Sequence, residues 1–298
     1  MHIADGLLPA PLCIGGYALG GLTLWWTLRQ SKVQTRNKTK QAARALDVQL
    51  RDQQSNFPTT VGDRPKQTQG ELHPHPNEPN FTPAPSPHPY GPQPTAQKNI
   101  ARAALLTAAF FVASSIRIAI PPTSVHFVLV GLMGAILGPL AFPSVVVGLT
   151  LQAILMGHGG LTVLGVNSLI LGWPALAAGF LFRLCHRWGS GWLGRSRSTL
   201  VGGFLAGSIG TVLAVLLFFG AVLVGITPDL NPDVERAAAV GIAITHAPLV
   251  LIEGCFTAAV IGFCQRVYPD LLPDFCRPRY RRTSLGRWSD RLTKFENY

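Results

Sequence analysis

Three long stretches of the sequence contain almost no charged residue, and they constrain the fold more than any other feature. Asp, Glu, Lys and Arg are absent from Ile118–Phe182 and Ser198–Pro228, and Glu253 is the one charged residue of Ala237–Gln265. A transmembrane helix needs about 20 mostly apolar residues, so the first stretch is long enough for several spans and their turns. Charged residues make up only 13% of the chain, well below their usual share in a soluble domain. The sequence therefore predicts an all-α fold, a polytopic helical membrane bundle.

Apolar segments bounded by glycine, proline or charge predict about seven transmembrane helices. The third and fourth are short, and little more than Gly138-Pro139 and Pro143 separates them. The predicted spans are Leu7–Leu28, Ala101–Ile120, Ser124–Leu140, Ala141–Met156, Val163–Leu184, Leu200–Val224 and Gly241–Val267.

Small residues recur at i, i+4 spacing within these spans, which allows helix backbones to approach closely in lipid. The spacing indicates close packing either inside one bundle or against a partner subunit. Examples are Gly16/Gly20, Gly134/Gly138 and Gly203/Gly207.

The Lys and Arg residues predict the orientation of the spans, because cytoplasmic loops carry an excess of both. Arg117 and Arg236 apart, the 25 basic residues follow the first or fifth span or belong to the C-terminal tail. With seven spans these three regions share one face, so we expect the N-terminus outside and the C-terminus in the cytoplasm. Topology thus accounts for the net charge of +11, and no nucleic-acid partner is predicted.

Residues 31–99 differ in character from the rest of the chain. They open with a basic stretch that could be helical, and eleven of the 24 prolines follow between Pro58 and Pro94. Such a composition cannot bury enough apolar surface to offset the entropy lost on ordering. We therefore expect four parts: residues 1–30 with the first transmembrane helix, a disordered cytoplasmic loop 31–99, a six-helix membrane core 100–268 and a basic cytoplasmic tail 269–298.

Four histidines lie near the outer face in this topology. His2 begins the first span, His126 is at the start of the third, His158 follows the fourth, and His246 lies about two turns into the seventh. Glu253 is seven residues further along the same helix and returns to nearly the same face. Ionisable groups inside a membrane are costly and are therefore functional candidates. A lone interfacial histidine more often bonds a backbone group than a metal; four at one face weaken that interpretation but do not remove it, because interfaces tolerate histidine well.

The dipeptide Met1-His2 has a chelating chemistry of its own. The α-amine, the amide nitrogen between the two residues and the His2 imidazole can supply three nitrogens to one ion. One further imidazole would complete a planar set of four nitrogens, which suits nickel(II), copper(II) or low-spin cobalt(II) better than zinc. No basic n-region precedes the apolar run, so we expect Met1 and the first span to be retained. Taken alone, the dipeptide still favours an incidental interfacial histidine.

Further stretches change this interpretation. MHIADG at 1–6, PPTSVHF at 121–127 and MGHGGLTVLGVNSLILGWPAL at 156–176, with HAPLVLIEG at 246–254, together resemble the CbiM/NikM family. Its members are the substrate-binding membrane subunits of energy-coupling factor transporters for cobalt and nickel. The resemblance covers nearly the whole membrane part in order and leaves out residues 31–99.

The resemblance implies a square-planar metal site. Its ligands would be the amine of Met1, the amide and imidazole of His2 and the imidazole of His126. Cobalt(II) or nickel(II) would be the transported substrate, and the sequence does not distinguish the two. Supporting positions that orient ligands or line the access route would be Asn167, His246, Glu253 and, with the poorest fit, His158.

The resemblance also implies partners in a bacterial inner membrane. These are a transmembrane coupling subunit, two ATPase subunits, a small accessory membrane subunit and membrane lipid. The sequence has no GxxxxGK[ST] motif, and the nearest match, Gly189–Ser196, has Arg in place of Lys. We therefore expect no ATP site on this chain and no enzyme activity.

Two alternative functions belong to other classes. A membrane-embedded metalloenzyme could use His246 as a ligand and Glu253 as a base, although the sequence has no HExxH motif. A stand-alone secondary transporter would show internal repeats and polar groups near the midplane, and the sequence shows neither pattern.

Overall fold

The computed structural model describes residues 3–55, 95–116, 118–120, 123–225, 240–241, 244 and 246–276. Within these ranges the chain is helical apart from one small hairpin. The helices are α1 (Ala10–Ser55), α2 (Thr95–Ser115), α3 (Val130–Leu137), α4 (Ala141–Met156), α5 (Leu164–Gly189), α6 (Arg195–Gly225) and α7 (Ala247–Val267). The strands are β1 (Ile118–Ile120) and β2 (Thr123–Val125), and 3-10 turns occupy Gly138–Leu140, Pro269–Leu271 and Asp274–Cys276.

Four described segments are long and apolar enough to cross a membrane. They are Val130–Met156, Leu164–Gly189, Arg195–Gly225 and Ala247–Val267. Large apolar side chains on their outer faces are exposed, among them Ile154, Phe180 and Leu251, as lipid contact requires. These segments confirm a helical membrane protein, whereas the count of seven spans and the outward N-terminus remain predictions.

The segment Val130–Met156 is not one straight helix, although its length would allow a span. Gly134 lies against the α5 backbone, because a Cβ built on it would be 1.9 Å from the Ala175 carbonyl oxygen and 2.9 Å from the Gly179 nitrogen, and Gly138, one turn later, meets the Arg183 side chain. Phe142 packs against Gly172, which is about 10 Å back from Gly179 along α5 at 1.5 Å per residue. The chain therefore reverses at the 3-10 turn, and α3 and α4 run in opposite directions.

Helix α3 is the centre of the bundle, and all eight of its residues are buried. Its two glycines bring it into backbone contact with its neighbours. A Cβ on Gly134 would lie 1.9 Å from the Ala175 carbonyl oxygen of α5, and one on Gly131 would lie 2.4 Å from the Ala206 carbonyl oxygen of α6. Because α3 touches other backbones directly, its position is set by main-chain shape and tolerates little change.

The other small-residue pairs also pack helices of this chain together. A Cβ on Gly207 of α6 would lie 2.8 Å from the Gly254 Cα atom of α7, and one on Gly16 of α1 would lie 2.8 Å from the Val166 backbone nitrogen of α5. The spacing of small residues could indicate packing inside one bundle or against a partner subunit. The contacts among the described residues support packing inside one bundle.

The region between α2 and α3 corrects the predicted helix boundaries. Helix α2 ends at Ser115, where the prediction placed Ile120, and α3 begins at Val130, where the prediction placed Ser124. Strands β1 and β2 pair antiparallel in between, with Ile118 opposite Val125. The sequence Pro121-Pro122 cannot continue a helix, and its β-branched neighbours favour extended backbone.

Helix α1 extends to Ser55, past the predicted end near Leu28 and into the segment expected to be disordered from residue 31. No glycine or proline occurs between Gly21 and Pro58, so the sequence contains no strong helix breaker there. The chain divides into two units, one of Met1–Ser31 with Ile100–Tyr298 and the other of Lys32–Asn99. Most of the predicted Pro-rich loop and the tail from residue 277 lie outside the described residues.

The contact between α3 and α5 predicts the effect of a single methyl group. Gly134→Ala should destabilise the protein by about 1–3 kcal/mol, because the new Cβ overlaps a backbone oxygen that cannot rotate away. Gly220→Ala is the matched control, since nothing lies within 4 Å of its Cβ position in α6. Thermal unfolding in detergent measures both, and equal midpoints for the two variants would contradict close packing of α3.

Candidate metal centre

The N-terminal segment is held in the bundle by Asn167 of α5. The Ile3 backbone N–H donates to Asn167 Oδ1 at 3.0 Å, and Asn167 Nδ2 donates to the Ile3 carbonyl oxygen at 3.1 Å. The exposed fractions of Ile3 and Asn167 are 1% and 2%. Both polar groups of a buried backbone unit are therefore satisfied by one side chain. Met1 and His2, the two predicted ligands that precede this unit, lie outside the described residues.

Asp5 forms a second attachment, to the glycine-rich loop between α4 and α5. Its Oδ1 accepts hydrogen bonds from the Thr162 backbone N–H, at 3.2 Å, and from the Thr162 hydroxyl. The Asp5 carboxylate lies where a Cβ of Gly160 would be, and the Tyr17 hydroxyl donates to the Leu161 carbonyl oxygen. The sequence analysis did not identify this attachment. The signal was an isolated acid in the opening segment and a run of glycines downstream.

His126 is 7% exposed and lies just before α3, outside the membrane-spanning helices. Its Nδ1 is 3.1 Å from the Phe127 carbonyl oxygen. A carbonyl oxygen only accepts, so Nδ1 carries the proton of the neutral ring and Nε2 carries the lone pair that a metal ligand needs. Burial lowers the pKa of the His126 imidazole to about 3, which keeps it neutral at physiological pH.

Glu253 of α7 fixes the stretch that follows His126. Its carboxylate accepts hydrogen bonds from the backbone N–H groups of Val128 and Leu129, the latter at 3.1 Å and 3.2 Å from the two oxygens. Leu129 has a φ of 51°, a left-handed conformation that costs a branched residue about 1–2 kcal/mol. The Phe127 and Phe256 rings also pack against each other, with their centroids 5.5 Å apart. Helix α7 thus contacts each of the three residues that follow His126.

The position of Glu253 argues against the metalloenzyme alternative. Its carboxylate is fully buried and accepts hydrogen bonds from two backbone N–H groups. A general base needs access to a substrate proton, which this arrangement does not offer. The described contacts give Glu253 the role of a backbone anchor.

His158 and His246 lie near His126. Both imidazoles contribute, after burial, to the lowering of the His126 pKa. His246 is 2% exposed and occupies the position directly before α7, while His158 is half-buried after α4. Across the described ranges, no three His, Cys, Asp or Glu side chains form a group that could hold a metal ion. The predicted four-nitrogen set takes only one side chain, His126, from those ranges.

The fold and this site define a class of protein: a helical membrane bundle that holds an N-terminal segment and a neutral histidine in buried positions by contacts to their backbones. The sequence model of the CbiM family, described as a cobalt uptake substrate-specific transmembrane region, matches residues 92–271. This range is more than half of the chain, and the protein belongs to the CbiM family.

Two relatives and one solved structure show the extent of the similarity. A cobalt transport protein CbiM of Sorangium cellulosum is 30% identical over 173 residues, which are 56% of this chain and 74% of that protein. A fused nickel transport protein NikMN of Rhodobacter capsulatus is 31% identical over 202 residues, 62% of this chain but only 56% of the longer relative. A crystal structure of a transition metal transporter shares the fold, with a TM-score of 0.52, 18% identity and coverage of 90% of this chain and 93% of that one.

The hydrogen bonds accepted by Glu253 predict that two substitutions at this position differ in their effect on stability. Glu253→Ala should destabilise the protein by at least about 2 kcal/mol, because two buried N–H groups lose their acceptor. Glu253→Gln retains one acceptor oxygen at the same distance and should cost less. The unfolding midpoints of the two variants measure the difference, and a parent-like midpoint for Glu253→Ala would show that the two N–H groups do not depend on this carboxylate.

Proposed function

We propose that this protein is the metal-capturing membrane subunit of an importer for cobalt(II) or nickel(II). The ion is bound by four nitrogens: the Met1 amine, the amide and imidazole of His2 and the imidazole of His126. Membership of the CbiM family and the names of the curated relatives support transport of these metals. Those relatives are transport proteins, which also supports a role without catalysis.

The observation that carries the proposal is the hydrogen-bonded pair of Ile3 and Asn167. A chelate made from a chain terminus requires the backbone beside it to be fixed, since a free dipeptide would lose its conformational entropy on binding. The two buried hydrogen bonds remove that cost before the metal arrives. Glu253 does the same for the segment that carries His126.

The chemistry of the donor set accounts for the choice of metal. Four nitrogen donors in a plane favour nickel(II) and low-spin cobalt(II) and disfavour zinc, which prefers a tetrahedron. His158 and His246 contribute to the route by which the ion reaches the plane, and Asn167 and Glu253 orient the ligand-bearing segments.

The transport cycle requires partner subunits. We propose that the chain crosses a bacterial inner membrane seven times with its N-terminus outside, and that the basic regions at 31–99 and 269–298 face the cytoplasm. The reversal between α3 and α4 supports the predicted division of Ser124–Met156 into two segments of opposite direction, although the eight-residue helix α3 alone is too short to cross the bilayer. A coupling subunit, two ATPases and a small accessory membrane subunit would then supply energy to the assembly.

An N-terminal extension tests the role of the terminal amine. Three Gly residues placed before Met1 should abolish tight metal binding, because the Met1 amine becomes an amide and the new amine is too far along the chain to close a chelate ring with the His2 imidazole. The fold should persist, since Ile3 and Asn167 are unchanged. Elemental analysis of purified protein with the native and the extended terminus measures the effect, and equal metal content would exclude the amine as a ligand.

Ligation and positioning can be separated by two further variants. His126→Ala removes a nitrogen donor and should eliminate the square-planar site. Asn167→Ala keeps every donor and releases Ile3, and loss of such supporting contacts typically weakens metal affinity about 10–100-fold. Calorimetric titration of both variants against the parent measures the ranking, and a His126→Ala protein with parent affinity would refute the ligand set.

Metal capture should weaken as the pH falls. The Met1 amine has an ordinary pKa of about 8 and must be neutral to bind, so protons compete with the metal below that pH. His126, with its pKa lowered to about 3, stays neutral and adds no competition at mildly acidic pH. Affinity measured from pH 8 to pH 5.5 should decrease steadily, and a constant value across that range would contradict the proposed site.

A further inference from the structure

A groove between α6 and α7 lies at the end of the bundle opposite the candidate metal centre. Helix α6 begins and α7 ends there, so the two helices bring Arg195 and Arg266 to the same end of a cavity of about 560 Å³. That volume is within the usual range for small-molecule sites. Ser196 and Gln265 lie at the same end, and the Ser196 hydroxyl donates to Gln265 Oε1 at 3.4 Å.

The rest of the groove is apolar. Leu200 of α6 and Ala258, Gly262 and Phe263 of α7 belong to its apolar lining. The small side chains leave depth between the helices, since a Cβ on Gly262 would already lie 2.8 Å from Leu200 Cδ2. Phe263 is 59% exposed. The groove therefore changes from basic to apolar along the helix axis.

The charge at the basic end has no counterpart in the described residues. No carboxylate lines the groove, and the described ion pair of this chain joins Arg51 to Asp47 elsewhere. Ser196 lies in the first turn of α6, where backbone N–H groups give the helix end a partial positive charge. Two guanidinium groups, a hydroxyl and a helix start together favour an anionic group with several acceptor oxygens.

We propose that this groove binds one anionic phospholipid. The phosphate lies between Arg195 and Arg266, and an acyl chain follows the apolar lining past Gly262 toward Ala258. The arrangement matches a ligand that is anionic at one end and hydrocarbon at the other, on helices that are long and apolar enough to span a membrane. Basic pockets between transmembrane helices bind lipid head groups in this way. The inference does not depend on the proposed metal site.

The test compares lipids that differ only in head-group charge. The full-length chain in detergent is titrated with dioleoyl phosphatidylglycerol and with dioleoyl phosphatidylcholine, and bound lipid is counted by native mass spectrometry. One phosphatidylglycerol should bind tightly. Arg195→Gln with Arg266→Gln should weaken its binding about thirtyfold. The control Arg187→Gln with Arg197→Gln removes two exposed charges near the same end, outside the groove lining, and should bind as the parent does.

A second variant separates the groove from general electrostatic attraction. Ala259→Leu fills the groove from an exposed position and leaves both arginines in place, so it should also lose the lipid. The unfolding midpoint of each variant confirms that it is folded. Equal binding of the two lipids, or equal loss in both arginine pairs, would overturn the proposal. So would tight lipid binding only after deletion of residues 279–298, since the tail of the chain would then be the occupant.

Discussion

The two hydrogen bonds between Ile3 and Asn167 are the constraint on which the candidate site depends. Both hydrogen bonds are made to the backbone N–H and C=O groups of Ile3, so they do not depend on the side chain at position 3. They require only that the backbone passes Asn167 at this position. A buried amide that lost both partners would cost a few kcal/mol, which makes withdrawal of the segment unfavourable. Asp5 adds a contact to the loop that leads into α5, so the segment and the helix that holds it are tied at two points.

A similar principle applies on the other side of the site. Glu253 accepts from two successive N–H groups and maintains a left-handed residue, Leu129, at the start of α3. In both cases a polar side chain on a long helix binds the backbone of a short segment, and the proposed ligand belongs to the segment. The long helices thus fix the backbone of the segments that carry the proposed nitrogen donors. Helix α3, which follows Leu129, is itself fixed because it is buried between its neighbouring helices.

Composition and periodicity were sufficient for the class of fold, and they selected most of the side chains that the proposed site uses. The charge-free stretches predicted apolar helices because desolvation of charge dominates in lipid. The histidines and Glu253 were identified because ionisable groups in such helices are rare. Helix ends were predicted less well: α1 continues past Leu28 because no breaker residue follows, and a hairpin occupies the place of the end of one predicted helix and the start of the next. Neither hydropathy nor spacing measures how far a helix extends into water.

The anchoring contacts could not have been derived from the sequence. Asn167 bonds Ile3 across 164 positions, and Glu253 bonds Val128 across 125. Such pairs depend on the packing of α3, α5 and α7, which glycine spacing suggests but does not specify. Asp5 and Thr162 were overlooked for the same reason, because each is unremarkable in its local sequence.

The approach of Arg183 to Gly138 has an electrostatic consequence for α3. That helix ends inside the bundle, and the last carbonyl groups of any helix lack intrahelical partners and carry partial negative charge. The guanidinium occupies the space that a side chain at position 138 would fill, which places a cation beside the negative pole of the helix. The missing methyl group therefore creates room for a counter-charge, and a larger residue there would force the Arg183 guanidinium to move away from that pole.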